Sequence, residues 1–213
     1  MLHKTISEIS SANAGAAGVL RRLKIDLCDE GERRLRDVLG ERAIDAAVVL
    51  EDLQATQGSA RDDAPTTPEA LIPFILETYH AVHRRELPEL YKLARKVEAV
   101  HASHEAAPVG LADFLAALLG ELEDHMSKEE QVLFPTLLAG GGGCAPFAMR
   151  RMRMEHEGHE RHLEELSART NAFLPPEDAC GTWRALYAGC AKLHEDLRAH
   201  IALENEVLFP MFE

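Results

Sequence analysis

The sequence predicts an all-α protein, an antiparallel up-down four-helix bundle preceded by a small helical N-terminal domain. Apolar positions recur every three to four residues over four long stretches, and no stretch alternates as a strand would. Only 5% of the residues are aromatic while Ala and Leu abound, a composition that favours helices over sheets. The pattern His-x-x-x-Glu-x-x-Val-Leu-Phe-Pro occurs twice, as HMSKEEQVLFP at 125–135 and HIALENEVLFP at 200–210. A short pattern repeated at a distance of 75 residues implies a repeated helix pair.

Residues 1–56 read as several short helices forming the N-terminal domain. Thr5 or Ser7 can cap the first, AAGVLRRL continues with helical spacing, and Gly40 is expected to stop ERRLRDVLG. Asp45 then caps AAVVLEDLQA. The stretch 57–68, QGSARDDAPTTP, is polar and proline-containing without periodicity, and reads as a linker. Residues 69–213 hold the bundle. Its first helix runs from about Pro68 to Val100, with a kink or break expected at Pro88. The second runs from about Leu111 to Leu138 and is closed by the glycines at 140–143. The third spans about Pro146–Thr170 and the fourth about Glu177–Phe212.

Composition excludes several classes of function. A formal charge of −13 would repel a nucleic acid. The opening MLHKTISEISSANAG lacks the apolar run of a signal peptide. The greasiest segment, Leu111–Leu119, is short and contains Asp113, so no membrane span is expected. Cys28, Cys144, Cys180 and Cys190 are scattered without a C-x-x-C pair, which fits reduced thiols in a cytoplasm. The glycine run at 140–143 lacks the Lys-Ser/Thr of a phosphate-binding loop, and no catalytic triad pattern competes.

The histidines carry the chemistry. His125 and Glu129 are four apart on the second helix, and His200 and Glu204 four apart on the fourth, so each pair shares a helix face. The first helix supplies His80 and the third His156. His80 precedes His125 by 45 residues and His156 precedes His200 by 44. The bundle is therefore a helix pair used twice, placing four imidazoles and two carboxylates in one core layer. Two buried carboxylates need a positive counter-charge, and bundle cores are a place for dinuclear metal sites. Two octahedral ions need about twelve ligand positions. Two bridging glutamates, four histidines and a bridging oxide or hydroxide leave about one open position on each ion. Nitrogen-rich ligation suits two iron ions better than magnesium or calcium.

His3, His101, His104 and His194 are surface or satisfied core residues in this reading. His83, His159 and His162 read as exposed or supporting residues, although a shift of helix phase would let His83 or His159 replace a ligand. Glu121 and Asp196, four residues before His125 and His200, are either imidazole partners or solvated charges, and Glu155 is equally open. The VLFP segments read as core closure beyond the metal layer, with Pro135 and Pro210 kinking or ending the last turns.

ETYHAVHRRELPEL, ELEDHMSKEEQVLFP, MEHEGHE and HIALENEVLFP resemble the hemerythrin-like HHE domain, and nearly the whole chain resembles the repair-of-iron-centres family of di-iron proteins. The resemblance implies the ligand set that the spacing reached: His80, His125, Glu129, His156, His200 and Glu204, with both glutamates bridging. It further implies a cytoplasmic stress protein that handles iron or nitric oxide to restore damaged iron–sulfur or other iron centres. The alternative is a site that binds or senses dioxygen or nitric oxide, or reduces nitric oxide. Whether the chain is an enzyme stays open. One departure shifts weight toward the alternative. Where the family carries Cys-Cys-Gly-Gly, KIDLCDEG has Cys28 followed by Asp29 and Glu30, so no vicinal dithiol forms.

Overall fold

The computed structural model describes residues 1–6, 8–9, 19–20, 23, 25, 30–42, 44–55 and 64–213. Cys28 and Asp29, the AAGVLRRL helix apart from a few residues, and positions 56–63 of the expected linker lie outside the described residues. The chain divides into two compact units, Met1–Asp63 and Ala64–Glu213. Its regular structure among the described residues is helical, apart from one isolated bridge between Thr5 and Arg34. No described helix is long and apolar enough to cross a membrane.

The N-terminal unit opens with a reciprocal cap. The Thr5 backbone N–H donates to Glu8 Oε2 at 2.8 Å and the Glu8 N–H to Thr5 Oγ1 at 3.1 Å, satisfying two donors that a helix start leaves free. Helix α1 is Leu35–Glu41 and α2 is Ala46–Ala55. Gly40 does not stop α1, which continues through it to Glu41. A single Gly lowers helix propensity by only about 1 kcal/mol, too little to end a helix whose apolar face is packed. The Ala47 N–H donates to Asp45 Oδ1 at 2.8 Å, the cap expected for α2. Ile6, Leu20, Leu35, Val38 and Leu53, among others, make the core of this unit.

In the larger unit, α3 (Pro68–Ile75) passes through a π-helical turn (Leu76–His80) into α4 (Ala81–Val100). After the 101–110 connection, α5 (Leu111–Lys128) passes through a second π turn (Glu129–Leu133) into α6 (Phe134–Leu138). Helix α7 is Ala145–Arg169. Helix α8 (Gly181–Leu203) ends in a third π turn (Glu204–Leu208) and a 3₁₀ turn (Phe209–Phe212). Helix α4 packs on α5 and α8, and α7 on α8 and α5, which closes a four-membered ring of helices. The start of the first arm meets the end of the second, α3 against α6. At the other end the Ala112 N–H donates to Glu98 Oε1, so the first and second arms are antiparallel.

Pro88 lies inside α4 without interrupting it, so the break expected there is absent. The irregularity falls instead at the π turn just before α4, where the ring needs His80 turned inward. Gly140, Gly141 and Gly143 take positive φ after α6, a conformation open to Gly without Cβ strain. The core runs along the bundle axis through Leu87, Leu115, Leu122, Trp183, Leu186 and Leu197.

Candidate metal centre

Beyond that apolar core the interior becomes polar. His80, His125, Glu129, His156, His200 and Glu204 are all within 1% of complete burial. Each arm contributes: His80 closes the first π turn, Glu129 opens the second and Glu204 opens the third, while His125, His156 and His200 sit on regular helix. A π turn inserts an extra residue and advances the side chains that follow it, and such turns collect at functional sites. Here three of the six inward residues border one, a feature with no local sequence signal.

The six side chains form two groups. His80, Glu129, His200 and Glu204 present ligand atoms all within 4.8 Å of one another, and so do His125, Glu129, His156 and Glu204. Both glutamates belong to both groups, a position from which one carboxylate can serve two ions. Within the first group His80 Nε2 lies 3.2 Å from His200 Nε2 and 3.4 Å from Glu129 Oε2, and His200 Nε2 lies 3.1 Å from Glu204 Oε1. Within the second, His125 Nε2 lies 3.1 Å from His156 Nε2 and 3.5 Å from Glu129 Oε1, and His156 Nε2 lies 3.1 Å from Glu204 Oε2. The Nε2 atoms converge on one another, so a cation placed among them would meet several nitrogens at once.

The outward nitrogens are held by other residues. His80 Nδ1–H donates to Glu130 Oε1 at 2.8 Å, His125 Nδ1–H to Glu155 Oε2 at 3.0 Å, and His156 Nδ1–H to Asn205 Oδ1 at 2.9 Å. With the proton on Nδ1, the Nε2 lone pair points at the centre, the tautomer a metal requires. Arg84 in turn bonds Glu130 and Glu123, and Lys128 and Arg151 bond Glu155. Phe134 stacks on His80 and Phe209 on His156, with ring centroids 5.8 and 6.0 Å apart. The duplicated Phe of VLFP thus shields one imidazole in each half. His200 differs, because Tyr79 lies flat against it at 5.1 Å and its Nδ1 has no hydrogen-bond partner among the described residues.

The electrostatics match an acceptor set for a cation. Burial and then the neighbouring His200 lower His80 to about 4, and burial and then His156 lower His125 to about 4. Both imidazoles are therefore neutral at physiological pH, as ligands must be. Burial and the adjacent Glu204 push the Glu129 carboxyl well up. Burial alone would raise Glu204 too, but positive charge at the His200 and His156 positions beside it outweighs burial and holds its carboxyl well down. Both oxygens of Glu129 and Oε2 of Glu204 are buried without a hydrogen-bond partner among the described residues. Carboxylate oxygens left dry and undonated are costly unless a positive charge faces them, so the side chains present fit a metal.

Several expectations change. Of the residues read as exposed or supporting, His83 and His159 are buried, at 1% and 4% exposure, beside the His200 and His125 rings. One helical turn beyond His80 and His156, they stay on the inner face. Glu121 and Asp196 are not the partners of His125 and His200: Glu155 takes His125, and Asp196 pairs with Lys192 at 2.5 Å. Glu130 and Asn205 join the site although the His-x-x-x-Glu repeat does not single them out. Their one sequence signal is position, since each directly follows the motif glutamate in its copy of the repeat.

A four-helix ring with two histidine-carboxylate groups in its core defines a class of cation-binding bundle, and residues 72–212 match the hemerythrin HHE cation binding domain; the chain belongs to that family. Residues 2–57 match a domain of unknown function, DUF542. The chain is 39% identical over 210 residues to the iron-sulfur cluster repair protein YtfE of Musicola paradisiaca, covering 97% of this chain and 95% of that one. It is 38% identical over 207 residues to the protein of that name from Escherichia coli O157:H7, covering 96% and 94%. To a probable iron-sulfur cluster repair protein of Haemophilus influenzae it is 35% identical over 210 residues, covering 96% and 94%.

Proposed function

We propose that this chain is a cytoplasmic di-iron protein that repairs damaged iron–sulfur or other iron centres under nitrosative or oxidative stress. His80, Glu129, His200 and Glu204 hold one iron, His125, Glu129, His156 and Glu204 the other, and both glutamates bridge. The observation that carries this reading is the membership of Glu129 and Glu204 in both four-residue groups. Likeness over nearly the whole chain to proteins named for iron–sulfur cluster repair supports the biological role. Bound iron would supply redox chemistry and open coordination positions, and an oxide or hydroxide would complete the bridge.

The chain's own residues do the rest. Glu130, Glu155 and Asn205 keep three imidazoles in the metal-binding tautomer, and Phe134 and Phe209 keep water from two of the rings. In this reading residues 1–56 form a separate N-terminal domain, 57–68 a linker and 69–213 the bundle. The damaged acceptor proteins are the partners, with nitric oxide or dioxygen as the small ligand. The absence of a second cysteine after Cys28 favours an alternative, in which the same site binds or senses a diatomic molecule, or reduces nitric oxide, without delivering iron.

One experiment separates the two. Iron-loaded protein is mixed with an iron–sulfur enzyme whose cluster has been destroyed by nitric oxide, and both iron transfer and recovered acceptor activity are followed. Transfer with recovery supports repair. Nitric oxide uptake, seen as a change in the absorption spectrum, without transfer supports the alternative. A chain that retains no iron refutes both.

A further inference from the structure

The helix pair used twice allows the two halves to be compared position by position, and outside the core centre they differ in one instructive way. Displacements of 76 residues between first and third arms and 75 between second and fourth match His83 with His159, Glu86 with His162, and Asp196 with Glu121. In the half containing His83, the two carboxylates are joined by a lysine. Lys192 Nζ lies 2.7 Å from Glu86 Oε2 and 2.5 Å from Asp196 Oδ2, so a built-in ammonium sits between them. The residue matching Lys192 in the other half is Ala117, which brings no charge.

That other half holds Glu121, His159 and His162, whose ligand atoms all lie within 4.8 Å of one another. His162 Nδ1 is 3.4 Å from Glu121 Oε2. His159 is 96% buried, and neither of its ring nitrogens has a hydrogen-bond partner among the described residues. A buried imidazole with both nitrogens unsatisfied is costly, and a ligand that accepted its lone pair would remove part of that cost. His159 and His162 are three apart on α7, so they share one face, and Glu121 approaches from α5. Glu121 and His159 also line a common surface cleft, so the group is reached from solvent.

We propose that Glu121, His159 and His162 form a third metal site, for one divalent transition metal of borderline softness, Zn²⁺ or Co²⁺. Two imidazoles and one carboxylate on one side of an ion leave its remaining positions to water, a donor set that suits those ions and not Mg²⁺ or Ca²⁺. The ion takes the place that the Lys192 ammonium fills in the other half. The site does not rest on the di-iron reading, since it shares no residue with either core group.

The test uses iron-loaded full-length protein equilibrated with micromolar Zn²⁺, with zinc and iron per chain measured together. The wild type gains one zinc and keeps its iron. His162→Ala, Glu121→Gln and Ala117→Lys each lose that zinc without losing iron. The lysine variant is the decisive one, because it adds an ammonium from an exposed helix position and removes no ligand. No zinc uptake by the wild type overturns the proposal. So does uptake that survives in Ala117→Lys and His162→Ala, or uptake balanced by loss of iron. Failure of the core reading registers separately, as wild-type protein without iron.

Discussion

Glu129→Gln is the sharpest test of the shared-carboxylate geometry, because it removes one charge while preserving volume. Glu129 Oε2 lies 3.4 Å from His80 Nε2 and Oε1 lies 3.5 Å from His125 Nε2, so a single side chain faces both groups. If both groups hold an ion as proposed, the substitution withdraws a ligand from both, and both should leave together. Removing one partner of a buried charge pair costs about 3–5 kcal/mol. For a chain of this size about 2–4 °C of Tm goes with each kcal/mol, so the loaded protein should melt roughly 6–20 °C lower. The metal-free protein should respond with the opposite sign. There the Glu129 carboxyl is pushed up by burial and by Glu204. A raised carboxyl costs no stability below its ordinary value of 4.5, and costs progressively more as pH rises from there toward the folded-state value. Gln cannot ionise, so metal-free Glu129→Gln should melt at or above metal-free wild type at neutral pH, with the difference closing below that value. Iron content after desalting and scanning calorimetry with and without chelator provide the readouts. Retention of both ions, or equal destabilisation of the loaded and metal-free forms, would refute the reasoning.

The outer partners should matter less than the ligands but measurably. Glu130→Ala and Asn205→Ala free the Nδ1 of His80 and His156, and each should weaken metal retention about 10–100-fold in chelator competition; unchanged retention would show that these contacts do not orient the rings. Cys180, exposed at the start of α8, is lowered to about 7 by the Trp183 backbone N–H and by His101, whose Nε2 lies 3.1 Å from its sulfur. Its thiolate fraction rises with pH through that value, so alkylation should have its midpoint near 7 and shift to higher pH in His101→Ala; a midpoint unmoved by the variant would remove His101 from the account. Residues 64–213 expressed alone should retain the iron stoichiometry of the full chain, since all six core side chains lie in the unit Ala64–Glu213, and Cys28→Ser should leave it unchanged. A helical fragment that cannot hold iron would make the N-terminal domain part of the site.

What the sequence determined by itself was the periodicity and the repeat. Helical spacing over four stretches dictates a bundle, because an apolar stripe must be buried against another. The duplicated His-x-x-x-Glu with a histidine at matched distance is enough to group His80, His125, Glu129, His156, His200 and Glu204, since a period of 3.6 residues fixes which side chains share a face. Relations between arms, and departures from that period, were not legible. The π turns at Leu76–His80, Glu129–Leu133 and Glu204–Leu208 reset the phase where His80, Glu129 and Glu204 turn inward. They follow from the fit of the whole ring rather than from local propensity, so no residue type marks them in the sequence as Pro88 marks an expected break. Glu130, Glu155 and Asn205 became imidazole partners, and Glu121 and Asp196 did not, because hydrogen bonding depends on distances across the bundle that only the packing of one arm against another decides. The same packing turned the match of Lys192 with Ala117 from two letters in a repeat into the presence of an ammonium in one half and the lack of one in the other.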